Sequence, residues 1–247
     1  MKTTNFLGLN FFIDSPEDLM YRVVENSRGS VIHFVAASTL SFQRSNPEFF
    51  RVLENGIVIC DSQIVKFLAW LSFRKISRIR GTDFVRTFFQ SVDVPSSHFV
   101  YGSTNSSLEA FKLNISKQTI SQQKIDFYSP LSSNNTEFFV DQLQSTLRMH
   151  QYDYLWIALG SPKQDLIAQR VSENFNGVIF CVGAAIDFIS EHKREAPKFL
   201  QDIGLEWLFR WYQEPFRLFK RYTRDNARFI QIWIKWVYLV ARNKVNK

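Results

Sequence analysis

Along most of this chain, short apolar runs rich in β-branched and aromatic residues alternate with segments of helical period. The runs cover residues 31–37, 57–61, 98–102, 125–128, 154–159 and 178–182, and helical segments such as 16–26, 63–73, 83–90 and 137–150 lie between them. A strand followed by a helix and another strand packs most simply as parallel strands with helices laid against them. The expected fold class is therefore α/β, a mostly parallel Rossmann-like sheet with helices on both faces. After Glu195 the pattern becomes wholly helical, which predicts an α/β domain over 1–195 and a helical C-terminal appendage over 196–247. No internal repeat interrupts this order, and residues 129–135 read as a loop.

Open parallel sheets bind ligands beyond the carboxyl ends of their strands. The polar residues expected there are Ser38 and Thr39, Asp61 and Ser62, Gly102 and Ser103, the run from Gly160 to Asp165, and Gly183 with Asp187. In the run, Gly160 permits a tight turn, Pro162 suits a first helical position, and the free amides of a helix start can hold an anion. Lys163 and Gln164 are expected to face the same ligand, although an ordinary strand-to-helix turn would look alike. Asp61 either accepts a proton from an incoming hydroxyl or caps the helix that starts at Gln63. Thr82 or Asp83 is a similar candidate cap for the next helix. The histidines His33, His98, His150 and His192 show no metal-ligand spacing, and no Asp-x-Asp pair, P-loop or Gly-x-Gly-x-x-Gly is present. No metal and no cofactor are expected.

At 247 residues and 45% hydrophobic, the chain can bury a sizeable core, for which its 25 Phe are ready material. Cys60 and Cys181 lie far apart in apolar runs and read as reduced core residues of a cytosolic protein. The first fourteen residues show no signal-peptide pattern. The longest apolar run, 229–241, has 13 residues including Gln231 and Lys235, short of the roughly 20 that a membrane span requires.

Charge is concentrated at one end. Between Glu206 and Lys247, ten Lys and Arg face three carboxylates, a net of +7 that equals the net charge of the whole chain. Arg217, Arg221, Arg224, Arg228, Lys235 and Arg242 follow at steps of four, three, four, seven and seven, one stripe on a helix over 215–243. Phe219, Phe229, Ile230, Trp233, Trp236, Val237 and Val240 form its apolar side. Such a helix either lies in the headgroup layer of an anionic membrane or packs its apolar side on the protein and solvates its charge. Nucleic acid is not an expected partner, and a homo-oligomer is left open.

Several motifs in order resemble the WecG/TagA/CpsF glycosyltransferase family. Leu159-Gly-Ser-Pro-Lys-Gln-Asp165 is similar to LGxPKQE, and Val182-Gly-Ala-Ala-Ile-Asp-Phe188 to VGxxFDF. Ala196-Pro197, Gly204-Leu-Glu-Trp-Leu-Phe-Arg210 and Glu214-Pro-Phe-Arg217 are similar to AP, GLEWLYR and EPxR, and Arg78-Ile-Arg-Gly-Thr-Asp83 to RVxGxD. The resemblance implies a metal-independent, inverting transfer from a UDP-sugar to a polyprenyl-diphosphate-linked acceptor in cell-surface polysaccharide synthesis. It places the enzyme in the cytoplasm, peripheral on the inner face of the plasma membrane.

By the same resemblance Asp61 is the general base and Gln164 lies in the pocket as the second catalytic residue. Lys163, Gly183, Asp187, Arg210, Arg217, Arg221 and Arg224 are assigned to the donor, with Arg221 and Arg224 inferred from the stripe. Ser38, Thr39, Arg78 and Asp83 fall on the acceptor side. The chain departs from the family pattern at Ala36-Ala-Ser38 for Thr-x-Asn, at Ser62 for the Gly of DG, at Asp165 for Glu, and at Glu195 for Arg. Those departures keep a catalytically weak or inactive relative, binding a sugar nucleotide or a partner subunit, as the alternative.

Overall fold

The computed structural model describes residues 2–26, 29–42, 45–119, 123–133 and 135–245; the side chains of 25–26, 217–222 and 243–245 lie outside the description. Its strands are β1 Thr3–Phe6, β2 Leu9–Phe12, β3 Val31–Val35, β4 Ile57–Cys60, β5 Ser96–Gly102, β6 Gln123–Tyr128, β7 Tyr154–Ala158 and β8 Val178–Cys181. The helices are α1 Pro16–Asn26, α2 Ala37–Leu40, α3 Pro47–Asn55, α4 Gln63–Leu71, α5 Gly81–Ser91, α6 Asn105–Ser116 and α7 Thr136–Met149. They continue with α8 Lys163–Ser172, α9 Ala185–Ile189, α10 Lys198–Asp202, α11 Glu206–Gln213 and α12 Pro215–Val245. All eight strands join one sheet in the order β1-β2-β4-β3-β8-β7-β5-β6, and every pairing except β1 with β2 is parallel.

The six strands expected from the sequence are β3 to β8, each within a few residues of its expected limits. The β1–β2 hairpin was not expected. Its strands have four residues each and turn through Leu7 and Gly8, both at positive φ (56° and 85°). Helix starts follow local chemistry where it is available: Asn46, Thr104 and Asn135 accept from Phe49 N, Ser107 N and Glu137 N, satisfying amides that the helix leaves unpaired.

Each sheet face carries its own buried cluster. One face packs α1, α5, α6 and α9 around Phe88, Trp156 and Phe180, and Trp156 stacks on Phe180 at 4.2 Å between centroids. The other face packs α7 and α8 over Tyr101, Leu155 and Ile157. A third cluster joins β1, β2, β4, α3 and α4 to Phe229 and Ile232 of α12, with Trp233 and Trp236 against it. Trp236 meets Phe6 edge-on at 5.2 Å, and Trp233 Nε1 donates to Ser72 Oγ at 2.9 Å. The 31-residue α12, about 46 Å long at 1.5 Å per residue, is thus docked on the α/β body through part of its apolar side. The adjoining flank is exposed: Ile230 and Val237, which belong to the apolar side read from the sequence, with Ile234 and Tyr238 beside them.

Candidate active site

The carboxyl ends of β3, β4, β7 and β8 open on a cleft of about 360 Å³, closed over by Arg210 and Gln213 of α11 and Asp225 of α12. A smaller pocket of about 110 Å³ lies beside it, between α2, the start of α4 and α11. The two share three residues: Ser38, Asp61 and Arg210.

Asp61 follows β4 directly. Its N–H donates to Val35 O at 3.0 Å, which extends the β3–β4 pairing, and its Oδ1 accepts from Gly81 N at 2.9 Å. The carboxylate therefore caps α5, twenty residues on, and Ser62 rather than Asp61 occupies the N-cap position of α4. The cap expected from Thr82 or Asp83 is filled by Arg80 in backbone position and by Asp61 in chemistry. Burial, and then the neighbouring Glu206, hold the Asp61 carboxyl above the usual carboxylate range; the Gly81 bond, Arg210 and Arg80 pull the other way.

Two glycine turns flank the cleft, Gly160 after β7 and Gly183 after β8, at φ of +79° and +56°. Side chains with a Cβ rarely adopt this region. Gln164, buried at the first turn of α8, ties the two together: its Oε1 accepts from Gly160 N and from Gly183 N, both at 3.0 Å. Its acceptor is thus spent on the protein, and its Nε2 reaches Ser161 Oγ at 3.5 Å. This geometry makes Gln164 a positioning residue for both turns.

Lys163 departs from expectation. A helix turns about 100° per residue, so neighbours point apart: Lys163 Nζ donates to Ser133 O at 2.7 Å, lies over the Phe139 ring, and does not line the cleft. Beneath the cleft, Asp165 Oδ1 sits 2.7 Å from His33 Nδ1, with Cys181 beside them; the three are fully buried and their ligand atoms lie within 4.8 Å of one another. His33 and Cys181 are register partners on β3 and β8, and Asp165 comes down from α8. Burial, with Asp165 adding to it, pushes the Cys181 thiol well up.

Asp187 lines the cleft and is held by Ser103 Oγ and Lys193 Nζ. Lys193 was not singled out in the sequence, where it sits in a run of charged residues that reads as a solvated turn. Arg210 lies over the Phe188 ring at 4.6 Å and donates to Glu206 Oε1 at 2.9 Å, leaving its buried Nε without a partner among the described residues. Ser38 borders both pockets. Thr39 lines the cleft but already accepts from Ala36 N at 3.4 Å.

Other expected residues go elsewhere. Asp83 is half exposed, pairs with Arg80 at 2.9 Å and stands outside the cleft. Of the two pockets Arg78 lines the smaller, and it donates to Asp61 O at 3.2 Å and Gln201 O at 3.1 Å. Arg224 pairs with Asp225 Oδ1 at 3.0 Å and does not line the cleft. The side chains of Arg217 and Arg221 lie outside the described residues.

An ion network missed in the sequence binds the appendage to the body. Arg80, 7% exposed, meets Glu195 at 3.1 Å and Glu206 at 3.4 Å; Arg86 also pairs with Glu195, and Arg78 lies 3.6 Å from Glu206. Only the departure at Glu195 hinted at it. Compared with known protein families, the chain matches the model of the Glycosyl transferase WecG/TagA/CpsF family over residues 4–243.

Proposed function

The chain belongs to the WecG/TagA/CpsF family and is a glycosyltransferase, and from that premise we propose that it moves a hexose-type sugar from a UDP-sugar to a polyprenyl-diphosphate-linked acceptor, with inversion and without a metal, in cell-surface polysaccharide synthesis. The observation that carries the reading is the place of Asp61, at the boundary of the two pockets and with a raised proton affinity. A carboxylate whose proton affinity is raised above that of an ordinary aspartate is a stronger general base. The larger cleft takes the donor and the smaller pocket leads in the acceptor hydroxyl.

Asp61 takes the hydroxyl proton as the acceptor oxygen bonds to the anomeric carbon. The bond from that carbon to the phosphate oxygen breaks on the opposite face, and UDP leaves with the electron pair. Arg210 and Lys193 are the described cations lining the cleft, and guanidinium and ammonium groups are suited to neutralising a departing diphosphate. Arg217 and Arg221 are proposed to join them, as the sequence motifs suggest. The absence of an Asp-x-Asp pair supports the metal-independent reading.

The enzyme is further proposed to sit peripherally on the anionic inner face of the plasma membrane. No described helix is long and apolar enough to cross a membrane. An apolar surface on α12 (Ile230, Ile234, Val237, Tyr238) and on α4 and its end (Phe67, Trp70, Leu71, Phe73) is exposed, and a patch of this kind marks an interaction site. Bases of the helix stripe, Lys235 and Arg242 among them, supply the attraction to anionic lipid.

The deciding experiment is Asp61→Asn. Turnover with a UDP-sugar and a short-chain lipid-diphosphate acceptor is expected to fall ~10²–10⁴-fold while UDP affinity stays unchanged. Near-normal turnover would remove Asp61 from the mechanism.

A further inference from the structure

Asp225 lies on α12 with its side chain turned into the cleft, 1% exposed. Its Oδ1 is held by Arg224 Nε at 3.0 Å, from a guanidinium that is itself about half exposed. Its Oδ2 is buried and has no hydrogen-bond partner among the described residues. A buried carboxylate oxygen without a donor is unfavourable, so native proteins leave few of them. Of the described cations lining the cleft, Lys193 is paired with Asp187 and Arg210 with Glu206, and the unpartnered Nε of Arg210 makes no bond to Asp225. Among the described residues no donor reaches that oxygen, and a ligand that fills the cleft can supply one.

The chemistry of that donor is narrow. A phosphate would set negative charge against negative charge at this point. An apolar group would leave the oxygen as unsatisfied as before. A neutral group carrying O–H or N–H fits, and a saccharide presents several. The surroundings agree, since Ser38 and Thr39 on α2 and Gln213 on α11 line the same cleft with groups able to hydrogen-bond a polyol.

We propose that Asp225 is a sugar-binding residue, its Oδ2 accepting a hydrogen bond from a ring hydroxyl or an acylamino N–H of the saccharide held in the cleft. The inference rests on the glycosyltransferase reading and deepens it: the long C-terminal helix supplies part of the sugar specificity. The saccharide belongs either to the donor or to the acceptor, and the experiment separates the two.

The full-length chain is compared with Asp225→Ala and with the nearly isosteric Asp225→Asn, each checked for an intact unfolding transition. Affinities are measured for UDP, for UDP-hexoses and for their deoxy analogues, and the acceptor KM for a short-chain lipid-diphosphate saccharide. A hydrogen bond to a charged group is ordinarily worth about tenfold or more. If Asp225 holds the donor sugar, Asp225→Ala loses about that much affinity for the UDP-hexose, keeps its affinity for UDP, and matches the parent protein on the deoxy analogue lacking the contacted group. If it holds the acceptor sugar, donor affinities stay put and the acceptor KM rises by a similar factor with kcat little changed. Asp225→Asn, which keeps one acceptor oxygen without the charge, shows the same pattern with a smaller loss. Unchanged values in all arms overturn the proposal, as does an equal loss for UDP itself. Because binding is read directly, an Asp61→Asn variant that kept its turnover would sink the assigned base without touching this result.

Discussion

Asp61 holds its proton more tightly than an ordinary aspartate, because burial and Glu206 both disfavour its charge. A carboxyl whose folded pKa lies above its unfolded value of about 3.8 stabilises the fold at low pH, and that contribution is lost as pH rises through the folded pKa. At neutral pH the group therefore contributes less to stability than it does in acid. Asp61→Asn keeps an oxygen for Gly81 N–H and drops the charge, so its thermal midpoint at pH 7 should equal or exceed the parent's even as turnover falls; a midpoint several degrees lower would contradict this.

His98 runs the other way. Burial lowers it to about 4 while its Nδ1 accepts from Trp156 Nε1. Its neutral form is fully stabilising above about 6.5, and about 3 kcal/mol should be lost as pH falls from there to 4. Urea unfolding at a series of pH values measures that slope, which should flatten in His98→Asn. Asp61, Gly183, Asp187 and Ser38 were legible beforehand because strand ends fix where such residues stand. Lys163, Asp83 and Arg224 were not, since sequence does not set the direction of a long or exposed side chain. His33 and Asp165, 132 residues apart, met only through the sheet.

The helix α12 carries apolar residues on two adjoining faces, one buried and one exposed. Its stripe of Phe229, Ile232, Trp233 and Trp236 packs on the body, while Ile230, Ile234, Val237 and Tyr238 remain exposed. Periodicity revealed that the helix was amphipathic, but it could not reveal that one stripe is covered by a cluster drawn from β1, β2, β4, α2, α3 and α4. Replacing Phe67, Trp70 and Phe73 by Ser should weaken sedimentation with anionic liposomes and leave the unfolding midpoint unchanged, whereas Trp233→Ala or Trp236→Ala should lower stability by about 3 kcal/mol. Loss of liposome binding only in the tryptophan variants would return the membrane role to that side. The β1–β2 hairpin escaped notice for a simpler reason. Four-residue strands are too short for alternation to register, and what holds them is β4 and the end of α12.

Across the whole molecule, the division into a body of 1–195 and an appendage of 196–247 follows the change of sequence pattern, yet the core ignores it. Phe229 and Ile232 belong to one cluster with Phe6, Phe11, Val65 and Leu68, and Arg80 and Arg78 grip Glu206 from the body side. A chain cut after Asp202 keeps the sheet but lacks α11 and α12. With these contacts in view it should lose both turnover and stability, read as an unfolding midpoint at least several degrees below that of the full chain; an unchanged midpoint would show that α12 is an independent addition.

The edge-on contact of Trp236 with Phe6 joins positions 230 residues apart. During synthesis the chain leaves the ribosome at roughly 5–20 residues per second, so Phe6 waits on the order of ten seconds or more before Trp236 exists. The sheet can pair and its two helical faces can close in that interval, while the apolar groove over β1, β2 and α4 stays open to water. The nascent protein thus spends its last stage nearly native but adhesive along one edge, and a translational pause between α11 and α12 prolongs that stage.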